Sequence, residues 1–287
     1  MNRFKCVTKP MIWSTTLLLA AIVAGCGGGS ASPTNAISTG LGPTGGACTG
    51  TGCVNLGTAA NYAILAQTGV STIPNSVVTG NIGLSPKARI GLTGWSLITE
   101  PTDTSFGSAQ VVAPGRLFAA DNAGGTTSVD LTTAVRDMGT AYTTANGLAP
   151  AGGALAGGSP GIACPGAGHF GGQTLTPGVY TCTIAIDIAT GTTLYLNGAG
   201  VYVIRTTQGI TQASGTQVIL QGGAVAQNVF WVPAGTMSIT GTAGTATKMA
   251  GVILAQTDIV VGTNATINGR LLAQTAVTLD HATVTQP

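Results

Sequence analysis

Eight carboxylates, two histidines and six cysteines are the side chains of this 287-residue chain with chemistry to offer. The acids are Glu100, Asp103, Asp121, Asp130, Asp137, Asp187, Asp258 and Asp280, spread over irregular, helical and strand-like stretches. Cleaving a sugar or ester bond needs acids clustered with a metal or a basic partner at the broken bond. Asp187 and Asp258 can share one face, yet no Lys or Arg recurs beside them. His169 lies in a glycine-rich stretch and His281 near the C-terminus, and neither belongs to a Ser/His/Asp constellation. There is no phosphate-cradling loop and no metal-ligand spacing. No catalytic residue, metal or cofactor is expected, and the chain is not read as an enzyme.

The cysteines divide by position. Residues 1–26 have the form of an export signal, with a basic start, an apolar run from Met11 to Val23 and small residues after it. That run is too short to span a bilayer comfortably. It ends in Val-Ala-Gly-Cys at 23–26, which resembles a bacterial lipoprotein lipobox. In that family Cys26 becomes the lipidated N-terminus, and buried acyl methylenes anchor it to a membrane. An ordinary secretory signal that happens to contain a cysteine is the alternative. Residues 27–53 are Gly-, Ser-, Thr- and Pro-rich, the composition of a flexible tether. Export favours disulfides over metal, since no second cysteine pair or nearby histidine accompanies Cys48 and Cys53. The simplest pairing is Cys48–Cys53 and Cys164–Cys182, though spacing alone leaves the connectivity open.

Composition limits the partners. Only 6% of residues are charged and 5% aromatic, against 45 Gly and 46 Thr. Arg3, Lys5 and Lys9 fall in the signal, leaving seven basic against eight acidic groups. No basic patch for nucleic acid remains. Short Val, Ile, Leu and Thr runs between glycines are the pattern of many short strands joined by tight turns.

Those strands repeat. ILAQT stands at 64–68 and 253–257, and LLAQT at 271–275, the last two starting 18 residues apart. Asn75 and Gly80 follow Ile64 at the same distances as Asn264 and Gly269 follow Ile253, while Ala282 is eleventh after Leu271. A unit this short cannot bury its own apolar face and must stack on its neighbours. Three kinds of segment alternate in the C-terminal half. VYVI (201–204), VFWV (229–232), GVILA (251–255) and GRLLA (269–273) are apolar on both sides and need cover on both. A second kind alternates, with Ile210, Met237, Ile259 and Val277 inward and Thr211, Ser238, Val260 and Thr278 outward. TTLYL, TQVIL, ATIN and ATVT form a third kind. Three strand types per coil make a mainly β solenoid of triangular cross-section. One helix, at about 130–145, carries Leu131, Val135, Met138 and Tyr142 on a stripe that can cover the doubly apolar strands, with Asp130 as N-cap. Residues 85–127, punctuated by prolines, are read as an irregular excursion.

The second face is expected to be flat and covered by small hydroxyl and methyl groups, on a grid of about 4.8 Å between strands and about 6.5–7 Å along them. Such a grid orders water and suits a partner that is itself a flat crystal. LGTAANYAILAQTGV, VTGNIGLSP, LTPGVY (175–180) and GRLLAQTAVTLDHATVTQP together resemble the DUF3494-type microbial ice-binding proteins over residues 54–287. The resemblance implies a discontinuous right-handed β-solenoid with a helix alongside, its N-terminal segment stacked among the C-terminal coils. It also implies ice binding through one face bearing a Thr-Ala/Gly-x-Thr/Asn pattern. Thr275-Ala276-Val277-Thr278 matches that pattern; Thr68-Gly69-Val70-Ser71 and Gln208-Gly209-Ile210-Thr211 match in part. Thr257-Asp258-Ile259-Val260 and Ile184-Ala185-Ile186-Asp187 depart from it.

The expected ice contacts are Thr68, Ser71, Thr211, Thr236, Ser238, Thr257, Thr275 and Thr278, with Thr193, Thr266, Thr283 and Thr285 forming a weaker ladder on the third face. The chain is then an exported antifreeze protein that limits ice growth and recrystallisation or fixes cells to ice. It is expected to be monomeric, and either retained at the envelope by its lipid or released. The competing function is a tethered adhesin for glycan or protein. That needs exposed aromatic platforms, for which Trp95 and Tyr195 are the candidates; Trp231 lies in a strand of the helix-covered face.

Overall fold

The computed structural model describes residues 52–149 and 164–287. The signal, Cys26, Cys48 and nearly all of the tether lie outside the described residues.

The three kinds of segment become three stacked faces. One is a seven-stranded parallel sheet in the order Ile186–Ile188, Ile210–Gln212, Met237–Ile239, Ile259–Val261, Ala276–Asp280, Gly69–Ile73, Leu92–Thr93. The other two faces join into one sixteen-stranded sheet, because Thr247–Ala255 and Ala265–Ala273 each turn a corner without a break. Gly269 makes that corner possible: a Cβ there would lie 1.8 Å from the Gly251 carbonyl oxygen, so only glycine lets the coils stack.

The early copy of the repeat stacks directly on the late ones. Ile253, Leu271 and Ile64 are register partners in turn, as are Leu254, Leu272 and Leu65. The stack is therefore discontinuous in sequence. Tyr62–Ala66 takes its place beside Ala265–Ala273, and Asn81–Leu84 follows on its far side. Asn264, His281 and Asn75 are stack mates at a second corner and all have positive φ, at 59°, 45° and 80°. Asparagine tolerates that conformation best. The third copy of the unit is one residue shorter, so His281 rather than Ala282 occupies the corner.

Residues 85–127 are more regular than expected. Leu92–Thr93, Val111–Val112 and Leu117–Ala119 each add a parallel strand to one of the three faces. The segment is a last coil that closes the stack. Arg89 knits it together, with Nε 2.8 Å from Asp121 and Nη2 3.3 Å from Asp103.

Strands apolar on both sides divide their side chains by parity. Ile64, Ile82, Ile204, Trp231, Ile253 and Leu271 fill the solenoid interior. Leu65, Val203, Phe230, Val252, Leu254 and Leu272 point outward under the helix, against Leu131, Ala134, Met138, Ala141 and Ala145. The second residue of each Ile-Leu or Leu-Leu pair thus lies under the helix and the first fills the interior. The helix spans Thr127–Gly147, longer at both ends than the expected 130–145. Its N-cap is Thr126, which donates its hydroxyl to Asp130 at 2.7 Å; Asp130 sits in the first turn, where its charge meets the helix dipole. Twenty-one residues rise about 31 Å, and the six strand steps from Leu117–Ala119 to Tyr202–Thr206 measure about 29 Å. The helix therefore reaches across every strand of this face but the outermost, Gly178–Cys182.

Arg205 locks the far end. Its Nη1 donates to the carbonyls of Ala145 (3.1 Å) and Asn146 (2.5 Å), and Nε donates to Thr181 Oγ1. A cation here satisfies last-turn carbonyls that have no helical partner. Replacing Arg205 by Met keeps the stem and removes the donors. Urea unfolding of that variant is expected to show a loss of about 2 kcal/mol, with amide protection lost first over residues 143–147. Unchanged stability and protection there would show that the helix end is held by packing alone.

Candidate functional site

The expected inward and outward positions of the seven-stranded sheet are placed as the alternation requires. Ile186, Ile210, Met237, Ile259, Val277 and Val70 are all buried in the interior. Above them an outward row runs in register across all seven strands: Asp187, Thr211, Ser238, Val260, Thr278, Ser71, Thr93. Parallel pairing places neighbours along this row about 4.8 Å apart.

A second row stands at the corner where the helix-covered strands turn into this face. Thr68 and Thr257 flank Thr275 there: the Thr68 amide donates to the Thr275 carbonyl at 2.9 Å, and the Thr275 amide to the Thr257 carbonyl at 3.2 Å. Between the two rows run small residues, with Gly69 paired to Ala276, and Gly209 and Thr236 one strand step apart. Gly69, Ala276 and Gly209 keep parts of this middle line low, while Thr236 and Asp258 stand in it between Gly209 and Ala276.

The eight expected contact residues therefore share one surface, but not equally. Ser71 donates to Thr278 Oγ1 at 3.1 Å, a pair of hydroxyls bridging adjacent strands. Thr211 and Ser238 are adjacent, separated from that pair by Val260. Thr236 lies in the middle line and gives its hydroxyl to Asp258 at 2.8 Å. The Thr257 hydroxyl oxygen is buried without a partner, so that residue can offer its methyl alone to the surface. Thr93 is an exposed member of the row that sequence reasoning missed. Its strand is only two residues long and lies in the aperiodic stretch, which left no period to follow.

Asp187 and Asp258 do reach the same sheet, three strands apart and on different rows. Asp187 pairs with His169 at 2.5 Å. Among the described residues no group of acids, histidines or cysteines has metal-binding geometry. Cys164 is joined to Cys182, with Cα atoms 4.8 Å apart, tying the loop before the first coil to that coil. Cys53 is disulfide-bonded too. The aromatic platforms of an adhesin fare differently. Trp95 is fully buried and donates Nε1–H to the Val70 carbonyl, which removes it as a platform. Trp231 is likewise interior, bonded to the Ala250 carbonyl.

The third face is less even. Thr266, Thr283 and Thr285 are exposed, and Thr283 pairs with Thr266 on one side and Val77 on the other. Further along, Gln217, Lys248, Tyr195 and Ile219 stand up from the same rows.

Comparison with known proteins agrees with this geometry. Residues 64–285 match the family described as ice-binding-like. An ice-binding protein of Flavobacterium frigoris is 37% identical over 238 residues, covering 82% of this chain and 76% of its own length. The chain belongs to the ice-binding-like family. Other relatives in that family include ice-binding protein K1-A of Typhula ishikariensis, 42% identical over 71% of this chain and 77% of that protein. Among solved structures, the ice-binding protein LeIBP of an Arctic yeast superposes with a TM-score of 0.73 at 34% identity, covering 83% of this chain and 96% of the other. The DUF3494 domain of a Shewanella frigidimarina ice-binding protein gives 0.66 at 26% identity, covering 81% and 96%. The solenoid with its single covering helix is thus the family fold.

At the edge of the seven-stranded face Asp280 is held below the usual carboxylate range, first by its hydrogen bond to His281 and then by that to Thr263. Because the folded value is the lower one, its stabilisation is present above the unfolded value near pH 4 and is lost as pH falls through the folded value. In His281→Asn, carboxyl-carbon NMR is expected to show the Asp280 midpoint moving up toward the ordinary range. An unmoved midpoint would assign the effect to Thr263 instead.

Proposed function

We propose that this protein adsorbs to ice through the seven-stranded face and so inhibits ice growth and recrystallisation. The observation that carries this is the in-register outward row that crosses all seven strands. Rigid spacing in both directions lets hydroxyl and methyl groups hold a layer of water in fixed places. A solid partner is recognised by such repetition, whereas a dissolved ligand needs a concave pocket. Family membership supports the same conclusion.

Within the face, the contact is assigned to Thr68, Thr275, Thr278 and Ser71 with Thr93, and to Thr211 and Ser238 beyond Val260. Thr236 and Thr257 contribute chiefly shape, one through its tie to Asp258 and the other through its methyl. The third face is not chosen, because Lys248, Gln217 and Tyr195 break its flatness. The tall-residue test separates the two. Thr278→Tyr and Thr211→Tyr are expected to remove most thermal hysteresis and recrystallisation inhibition, while Thr283→Tyr leaves both near wild type. An inactive wild-type chain would end the ice assignment; loss only in Thr283→Tyr would move the site to the third face.

The chain is further proposed to be exported and held by lipid on Cys26, with residues 27–53 as the tether of the 54–287 module. This rests on Val-Ala-Gly-Cys at the end of the apolar run and the glycine-rich stretch after it. Mass spectrometry of the mature protein from a bacterial host is expected to find a diacylglyceryl-modified Cys26 as the first residue. An unmodified N-terminus at any other residue contradicts the anchor.

A further inference from the structure

A groove of about 610 Å³ runs between the covering helix and the corner of the solenoid, outside the proposed ice face. One wall is the helix, with Arg136, Gly139 and Thr144; the other is the corner, with Gln256 and Gln274 on adjacent strands. Among the described residues Arg136 is the one charged side chain in its lining. Tyr142 gives its hydroxyl to Gln256 Oε1 at 3.1 Å, which leaves the Gln256 amide hydrogens for another partner. Gln274 makes no side-chain hydrogen bond among the described residues, and its amide repeats that of Gln256 one strand step, about 4.8 Å, away. Arg136 is exposed and has no carboxylate partner there, since the neighbouring Asp137 bonds Thr58. No acid lines the groove.

Gly139 keeps the helix wall of the groove low. It lies in the helix interior, where glycine is the poorest former after proline. A Cβ built there would meet no atom within 4 Å. Packing therefore does not require glycine, yet a larger side chain would project into the groove.

We propose that the groove binds an acidic polysaccharide. A uronate carboxylate pairs with the Arg136 guanidinium, whose fork matches it in two parallel hydrogen bonds. Ring hydroxyls of the same chain accept from the Gln256 and Gln274 amides at the strand spacing, and Gly139 gives the sugar ring room. The site is open along its length, as a polymer requires, and it leaves the ice face free.

The test uses backbone-amide NMR of the exported chain titrated with short alginate oligosaccharides, a neutral dextran oligosaccharide and polyglutamate. Alginate is expected to shift resonances around 136–144, 256 and 274, more weakly as salt is raised. Dextran and polyglutamate are expected to leave them in place. Arg136→Gln should weaken the binding at least tenfold. Gly139→Leu should abolish it while raising the thermal midpoint, so that lost binding is not lost folding. Both variants should keep wild-type thermal hysteresis, which separates this site from the ice face. The proposal is overturned if alginate shifts nothing, if the two variants bind it as wild type does, or if polyglutamate binds equally well.

Discussion

The Thr68 amide donates to the Thr275 carbonyl, and the Thr275 amide to that of Thr257. This step, repeated on every side of the triangle, is the interaction on which the rest of the molecule depends. Each coil is too short to hide its own apolar residues, and it is stable only when its strands are paired above and below. Pairing in register forces like onto like. Interior side chains stack as Ile210, Met237, Ile259 and Val277, and the residues between them must form outward rows. The flat face is thus a by-product of the way the core is built, and its spacing is as fixed as the backbone hydrogen bonds that set it.

A solenoid with one doubly apolar side has a surface left to cover. The helix does this by running along the stack axis across all but the outermost strand, approaching closely through Ala134, Ala141 and Ala145. Its two ends are fastened differently. At one end Thr126 donates its hydroxyl to Asp130 in the first turn, and at the other Arg205 reaches up from the sheet to the last carbonyls. The helix also explains the order of the chain. It lies in sequence between the early coil and the late ones, and while it travels the length of the stack it leaves a gap that Tyr62–Ala66 fills beside Ala265–Ala273.

Much of this was legible in the sequence, because period and parity survive without coordinates. The alternation around Ile210, Met237, Ile259 and Val277 told inside from outside, and the LAQT repeats told which coils are neighbours. What escaped lacked a period. Thr93 sits on a two-residue strand, so its place in the outward row depends on pairing with Ser71 alone. Trp95 reads as an exposed platform in an irregular stretch but is buried by the closing coil. Thr257 carries the right residue type at the right spacing, yet its hydroxyl points into the protein. Asp130 has the residue type of an N-cap, yet the helix begins a turn earlier, and Asp130 sits inside its first turn accepting from the Thr126 hydroxyl. In each case spacing gave position along the chain, while the direction of a side chain was decided by contacts distant in sequence.

The central claim is that a solid lattice is the partner of the seven-stranded face. The most direct measurement is to grow a single ice crystal slowly in a solution of the fluorescently labelled chain and to image where the label goes. Adsorption predicts incorporation into the ice as a patch on defined crystal planes, against a dark remainder. Exclusion of the label into the liquid, as for an ordinary solute protein, would contradict the account.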